Sequence, residues 1–138
     1  MLSPRRPSAL LAAAALLGLS ASADAATTAW YAGRTSQRQP IVFAISGGQV
    51  IHLSFRINAR CRNGRIQRIA AHGFHRFPIA GGRFDQHFRA KAVTAVVKGK
   101  VTRRRGTGSV AVTGRVSGLS CSGKATFAVG RQSHRSTP

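Results

Sequence analysis

The sequence predicts an all-β fold, an antiparallel β-sandwich with a small β-barrel as the alternative, and three observations predict it. Apolar residues recur at every second position through most of the chain. Gly-Gly and Asn-Gly pairs break these runs about every ten residues, the spacing of short strands joined by tight turns. Past residue 25, no stretch carries helical periodicity.

Residues 1–25 stand outside this pattern. Arg5 and Arg6 precede an apolar run from Ala9 to Leu19, and Ala21-Ser22-Ala23 or Ala23-Asp24-Ala25 supplies the small residues of a cleavage site. The run falls short of the ~20 residues a helix needs to span a bilayer. The expected organisation is a signal peptide over residues 1–25, one sandwich domain over 26–130 and a disordered tail over 131–138.

The first elements form a hairpin. Ile41, Phe43 and Ile45 alternate with Val42, Ala44 and Ser46; after Gly47-Gly48, Ile51, Leu53, Phe55 and Ile57 alternate with His52, Ser54, Arg56 and Asn58. Glycine takes positive φ without steric cost, so Gly47-Gly48 reads as a primed turn. Asn63-Gly64 turns the chain again, into a strand from Ile66 to Ala71. Phe74 to Ala80 reads as a strand, with Pro78 confining it to an edge or a bulge. Gly81-Gly82 leads to Arg83–Phe88, with Phe84 and Phe88 on one face. Val93, Ala95, Val97, Gly99 and Val101 then oppose Thr94, Val96, Lys98 and Lys100. Gly106-Thr107-Gly108 is expected to turn that strand back into Val110, Val112, Gly114 and Val116. Leu119, Cys121, Ala125, Phe127 and Val129 close the series on one inward parity.

Cys61 and Cys121 are the only cysteines. An even pair in an exported chain predicts a disulfide, and no Cys-x-x-Cys spacing supports a metal or redox role. The expected location is secreted, periplasmic or cell-envelope.

Charge bounds the chemistry. The chain has 22 Lys+Arg against 2 Asp+Glu, a formal net charge of +20. Without the leader, Asp85 is the single acidic side chain. Glycoside hydrolysis by paired carboxyl groups is thereby excluded within one subunit, and so is a calcium cage. Ser120 and Ser122 flank Cys121 without a Gly-x-Ser-x-Gly elbow around them. His72, His75 and His87 are the nearest approach to a metal set. The spacing of His72 and His75 puts them on opposite faces of a continuous strand, so they read as surface histidines. No metal or cofactor is expected.

Two basic groups remain. Lys98 and Lys100 share a strand face beside Arg103, Arg104 and Arg105; Arg60, Arg62, Arg65 and Arg68 gather near the first cysteine. Each group could simply solvate turns and strand edges. An ordinary solvated surface mixes both signs, however, and this one does not. The arginine excess suits bidentate contact with phosphate or carboxylate, although GC-rich codon usage would produce the same bias. Trp30 and Tyr31, being adjacent, face opposite sides of a strand and make no stacking platform.

Tyr31-x-Gly33-x-Thr35, Pro40-Ile41-x-Phe43, Cys61, Gly82-x-Phe84 and Cys121-x-Gly123 leading to Phe127 form a series of landmarks. With them the chain resembles an uncharacterised group of small exported all-β bacterial proteins with a Tyr-x-Gly-x-Thr start and two cysteines. Phe127 stands where such proteins often have Trp. The resemblance implies fold and export, and it carries no site residues.

The functional expectation is a non-catalytic module binding an anionic polymer or surface: teichoic acid, lipopolysaccharide, acidic polysaccharide or extracellular DNA. The alternative is a structural or protein-interaction domain whose charge serves only solubility.

Overall fold

The computed structural model describes residues 27–72 and 76–133. The expected signal peptide, His75 and residues 134–138 lie outside them. Nine strands follow in order: β1 (Ala29–Thr35), β2 (Pro40–Ser46), β3 (Gln49–Cys61), β4 (Ile66–His72), β5 (Phe77–Pro78), β6 (Arg83–Ala90), β7 (Val93–Val101), β8 (Arg105–Val116) and β9 (Leu119–Arg131). All pairings are antiparallel, in the order β4-β3-β2-β1-β9-β8-β7-β6.

Two long strands close the sheet on itself, so the all-β expectation is met in its barrel form, with extra strands. β9 pairs with β1 through its later half, Thr35↔Phe127 to Tyr31↔Arg131. Its earlier half meets β3 directly, at Arg60↔Ser122 and Cys61↔Cys121. The hairpin of β1 and β2 therefore enters as a wedge between β3 and β9. The Cys61–Cys121 disulfide locks the point of the wedge, with Cα atoms 3.9 Å apart. Arg62 N–H donates to Ser120 O beside it, which makes the cysteines a non-hydrogen-bonded register pair, the closer of the two antiparallel spacings.

The side chains of the β1–β2 turn seal the rest of this seam. Gln37 Nε2 donates to Asn58 O at 3.0 Å, and Asn58 N–H donates to Gln37 Oε1 at 2.7 Å. On the other flank Ser36 N–H donates to Thr126 O, and Thr126 N–H donates to Ser36 Oγ. Buried Thr35 holds the turn in shape, its Oγ1 accepting from Gln37 N–H and Gln39 N–H.

The core follows the period-two pattern. Ile41, Phe43, Leu53, Phe55, Ile57, Val97, Val110 and Val112 are buried. Phe43 sits at the centre, stacked on Tyr31 at 5.1 Å and edge-on to Phe84 and Phe127 at 5.8 and 6.2 Å. Phe77 continues the chain of rings to Phe84 and Phe88. Such pairs each contribute about 0.5–1.5 kcal/mol beyond their burial. Tyr31 OH reaches Thr102 O at 2.8 Å, so the one polar tip in this row is satisfied.

Two expectations need correction. Gly106 and Gly108 make no turn; they lie inside β8, and Thr102–Arg105 is the turn, closed by Thr102 N–H to Arg105 O. The reason is steric. A Cβ at Gly106 would come within 2.9 Å of Val129 Cγ2, and one at Gly108 would overlap the Lys98 backbone oxygen and come within 2.6 Å of Phe127 Cζ. These glycines make room for a neighbouring strand's backbone and for core side chains, as glycine in a tightly curved sheet does. Of the strand expected over Phe74–Ala80, Phe74 and His75 lie outside the described residues, and from Arg76 onward only Phe77–Pro78 is strand, paired with Gln49 and Val50. Pro78 has no N–H to extend a ladder.

The Gly47-Gly48 and Gly81-Gly82 turns are as expected, with positive φ at all four residues. β9 runs through Arg131, and Gln132 N–H donates to Trp30 O.

Candidate functional site

Strand parity decides which polar side chains point outward, and register decides which of them meet. Arg60 in β3 is the partner of Ser122 in β9, and Ser122 of Thr113 in β8. Thr113 pairs with Thr94 in β7, and Thr94 with Arg89 in β6. The result is a row of outward residues across five strands: Arg60, Ser122, Thr113, Thr94, Arg89. The next row begins with Arg62, bonded to Ser120, and continues to Arg115, the register partner of Ser120.

These two rows border an open depression of about 820 Å³ over the disulfide. Arg60, Arg62, Arg89 and Arg115 line it, with Thr113, Ser120 and Ser122 between them. Among the described residues no carboxylate lines it. Asp85, the one acidic side chain among the described residues, lies four residues along β6 from Arg89, about 13 Å at strand rise. The four arginines, on β3, β6, β8 and the turn after β3, therefore border one depression without a counter-charge among the described residues that line it. Their planar donors, with hydroxyls beside them, suit phosphate, sulfate or carboxylate oxygens.

The sequence-predicted groups are redistributed. Of the second group, Arg60 and Arg62 join the depression. Arg65 stays on the β3–β4 turn, its N–H bonded to Asn63 Oδ1. Arg68 sits on β4 opposite Asn58. Arg89 and Arg115, absent from both predicted groups, take their place. Their outward parity was readable, but the register that brings residues 60, 89 and 115 together was not.

The first group occupies the far end of the same outer face. Lys98 and Lys100 border a second depression of about 730 Å³ with Arg83, Asp85, Thr107 and Ser109. Here the charge is partly answered: Asp85 Oδ2 lies 4.0 Å from Lys98 Nζ, and Oδ1 lies 3.7 Å from His87 Nε2. Exposed pairs of this kind contribute at most about 1 kcal/mol, but they lower the local potential. Arg105 points outward with Thr107, while Arg103 and Arg104 form the β7–β8 turn, where their carbonyls accept from the Arg131 side chain and backbone. From Thr94 to Lys100 is six residues, about 20 Å of strand. Exposed Lys124 lies between the two ends, in the row with Ala111.

His72 and His87 are on different strands. His72 Nδ1 lies 3.4 Å from Ser54 Oγ on β3, so the two histidines have separate neighbours. Trp30 and Tyr31 take opposite faces as expected: Tyr31 is buried, and Trp30 packs on His52 at 5.4 Å outside the barrel.

The disulfide is of the kind found in oxidising compartments. Among the described residues no helix is long and apolar enough to cross a membrane. No family model matches this chain, and no curated protein or solved structure matches it.

Proposed function

We propose that the protein is an exported, non-catalytic module that binds an anionic polymer of the cell envelope or extracellular space. One observation carries this reading: Arg60, Arg62, Arg89 and Arg115 border one depression over the disulfide, with no carboxylate among the described residues that line it. The shared border matters because solvated cations repel one another and gain by spreading apart. Holding four of them at one depression is favourable when a polyanion supplies the missing charge. Export rests on the leader read at residues 1–25 and agrees with the disulfide.

The far group, Lys98, Lys100 and Arg83 with Arg105, lengthens the track for a polymer some 20 Å or longer. Teichoic acid, lipopolysaccharide phosphate, acidic polysaccharide and extracellular DNA all present such repeating charge. The test is binding of the leader-free protein to each polymer across a salt series. Affinity falling linearly on a log–log plot is expected, as counterions are released. Absence of salt-sensitive binding to all four retires the proposal.

A further inference from the structure

Successive register pairs place three turns at one rim of the barrel. Cys61 pairs with Cys121, Cys121 with Gly114, Gly114 with Val93 and Val93 with Ala90. The β3–β4, β8–β9 and β6–β7 turns all lie just beyond this row. Backbone bonds tie them together: Arg62 N–H donates to Ser120 O, and Arg115 N–H donates to Ala92 O. The β3–β4 turn is closed on itself, Gly64 N–H donating to Cys61 O and Cys61 N–H to Arg65 O. The rim is therefore a fixed platform.

Its charge has one sign. Arg62 and Arg65 on the first turn, Arg115 beside the second and Lys91 on the third are all exposed. Asp85 lies five residues down β6 from Ala90, about 17 Å at strand rise. Arg65 and Lys91 stand outside the depression over the disulfide, so the platform is wider than that depression. Beside these cations sits Ile66, 54% exposed and the one large hydrophobic side chain so placed among the described residues. It is the register partner of Arg60, so the two share the outer face.

A soluble polyanion satisfies the arginines but leaves Ile66 in water. A bilayer of anionic lipid answers both, with phosphate at its head groups and apolar surface just beneath. We infer that this rim docks end-on against an anionic lipid bilayer, with Ile66 entering the interface beside the arginines. The inference deepens the function proposed above and rests on it, because Arg60, Arg62 and Arg115 serve both and the anion they meet is lipid phosphate. Trp30, the only tryptophan, stays clear of the lipid. It packs on His52, eight residues along β3 from Arg60, about 26 Å of strand.

The leader-free protein is cosedimented with vesicles of phosphatidylcholine and with vesicles of an equimolar mixture with phosphatidylglycerol. Binding is expected to the mixture alone, weakening as salt rises. Ile66→Ser should weaken it about tenfold, by returning an isoleucine's worth of apolar burial to water, and should leave binding of soluble polyphosphate unchanged. Arg65→Gln with Lys91→Gln should weaken vesicle binding about fivefold per charge and polyphosphate binding much less. Brominated phosphatidylcholine in the mixed vesicles should quench the fluorescence of Ile66→Trp in a Trp30→Phe background, and should leave Trp30 of the unmodified protein unquenched. The inference is overturned if the protein binds soluble polyphosphate but neither vesicle, an outcome that leaves the proposed polymer binding intact. It is also overturned if both vesicles bind equally, if Ile66→Ser changes nothing, or if the lipid quenches Trp30. Absence of binding to the vesicles and to every polymer retires both readings.

Discussion

The side-chain amide of Gln37 pairs with the backbone of Asn58 in both directions, at 2.7 and 3.0 Å, across 21 residues of sequence. A side chain here does the work of a strand. β3 and β9 part where the β1–β2 wedge enters, and the peptide groups of Asn58 would otherwise lose their ladder partners. Buried or half-buried peptide groups left unpaired cost roughly 1–3 kcal/mol each.

Gln37→Ala is therefore expected to destabilise the protein by roughly 2 kcal/mol, more than a surface glutamine normally contributes. Gln37→Glu keeps the acceptor for Asn58 N–H but sets a carboxylate oxygen against Asn58 O, and should recover little. Denaturant unfolding of both variants checks this. A loss below about 0.5 kcal/mol for Gln37→Ala would show that the seam closes without it.

Phe84 lies directly across the β6–β7 ladder from Gly99, and a Cβ at position 99 would overlap its ring. Gly99→Ala should cost about 1–3 kcal/mol through overpacking. In a Phe84→Leu background the same substitution should cost much less, because the obstructing ring is gone. A thermodynamic cycle that finds the two changes additive would remove ring–glycine packing as the explanation.

Replacing Cys61 and Cys121 together by alanine removes a cross-link spanning 60 residues. On the chain-entropy account this lowers stability by roughly 4 kcal/mol. It should also weaken polyanion binding, because Arg60 and Arg62 share a depression with Arg115 only across the seam the disulfide closes. Unimpaired affinity in a folded double variant would separate the disulfide from the site.

Charge removal distinguishes the two ends of the outer face. Arg89→Gln with Arg115→Gln should reduce the slope of log affinity against log salt by about 1.4–1.8 for a nucleic-acid probe. The matched pair Arg65→Gln with Arg68→Gln, which removes equal charge outside the depression, should change it by less than half as much. Equal changes from both pairs would mean that net charge alone drives binding.

Asp85→Asn frees Lys98 from the one carboxylate near it among the described residues. Binding of a long polyanion that reaches this end should tighten by a few-fold at low salt, with the gain fading as the Debye length contracts to about 8 Å at physiological ionic strength. Short oligomers confined to the disulfide end should show no gain. Titrations with oligomers of graded length check both.

Much of the fold was legible because its signals are local. The alternation of Ile41, Phe43 and Ile45, and the positive φ that Gly47 and Gly48 accept, depend on neighbours one or two residues away. Gly106 and Gly108 misled for the same reason: locally they read as a turn, and only atoms pressing from other strands, Val129 and Phe43 on one and the Lys98 backbone and Phe127 on the other, explain them. Among the site residues, Arg60 and Arg62 were readable beside Cys61, whereas Arg89 and Arg115 lie about 30 and 55 residues further on and meet them only through successive register pairs.

By itself, the sequence determined the strand alternation, most of the turns, the excess of positive charge and the pairing of its two cysteines, since each is set by residue type and short-range geometry. Tertiary structure alone decided that the sheet closes as a barrel, that Gln37 and Ser36 seal its seam, and which arginines share a depression. Those outcomes depend on register between strands far apart in the chain. The alternation excludes a shift of one residue, which would turn each row inside out, but a shift of two keeps every face while moving every row, and between strands far apart no tight turn decides it.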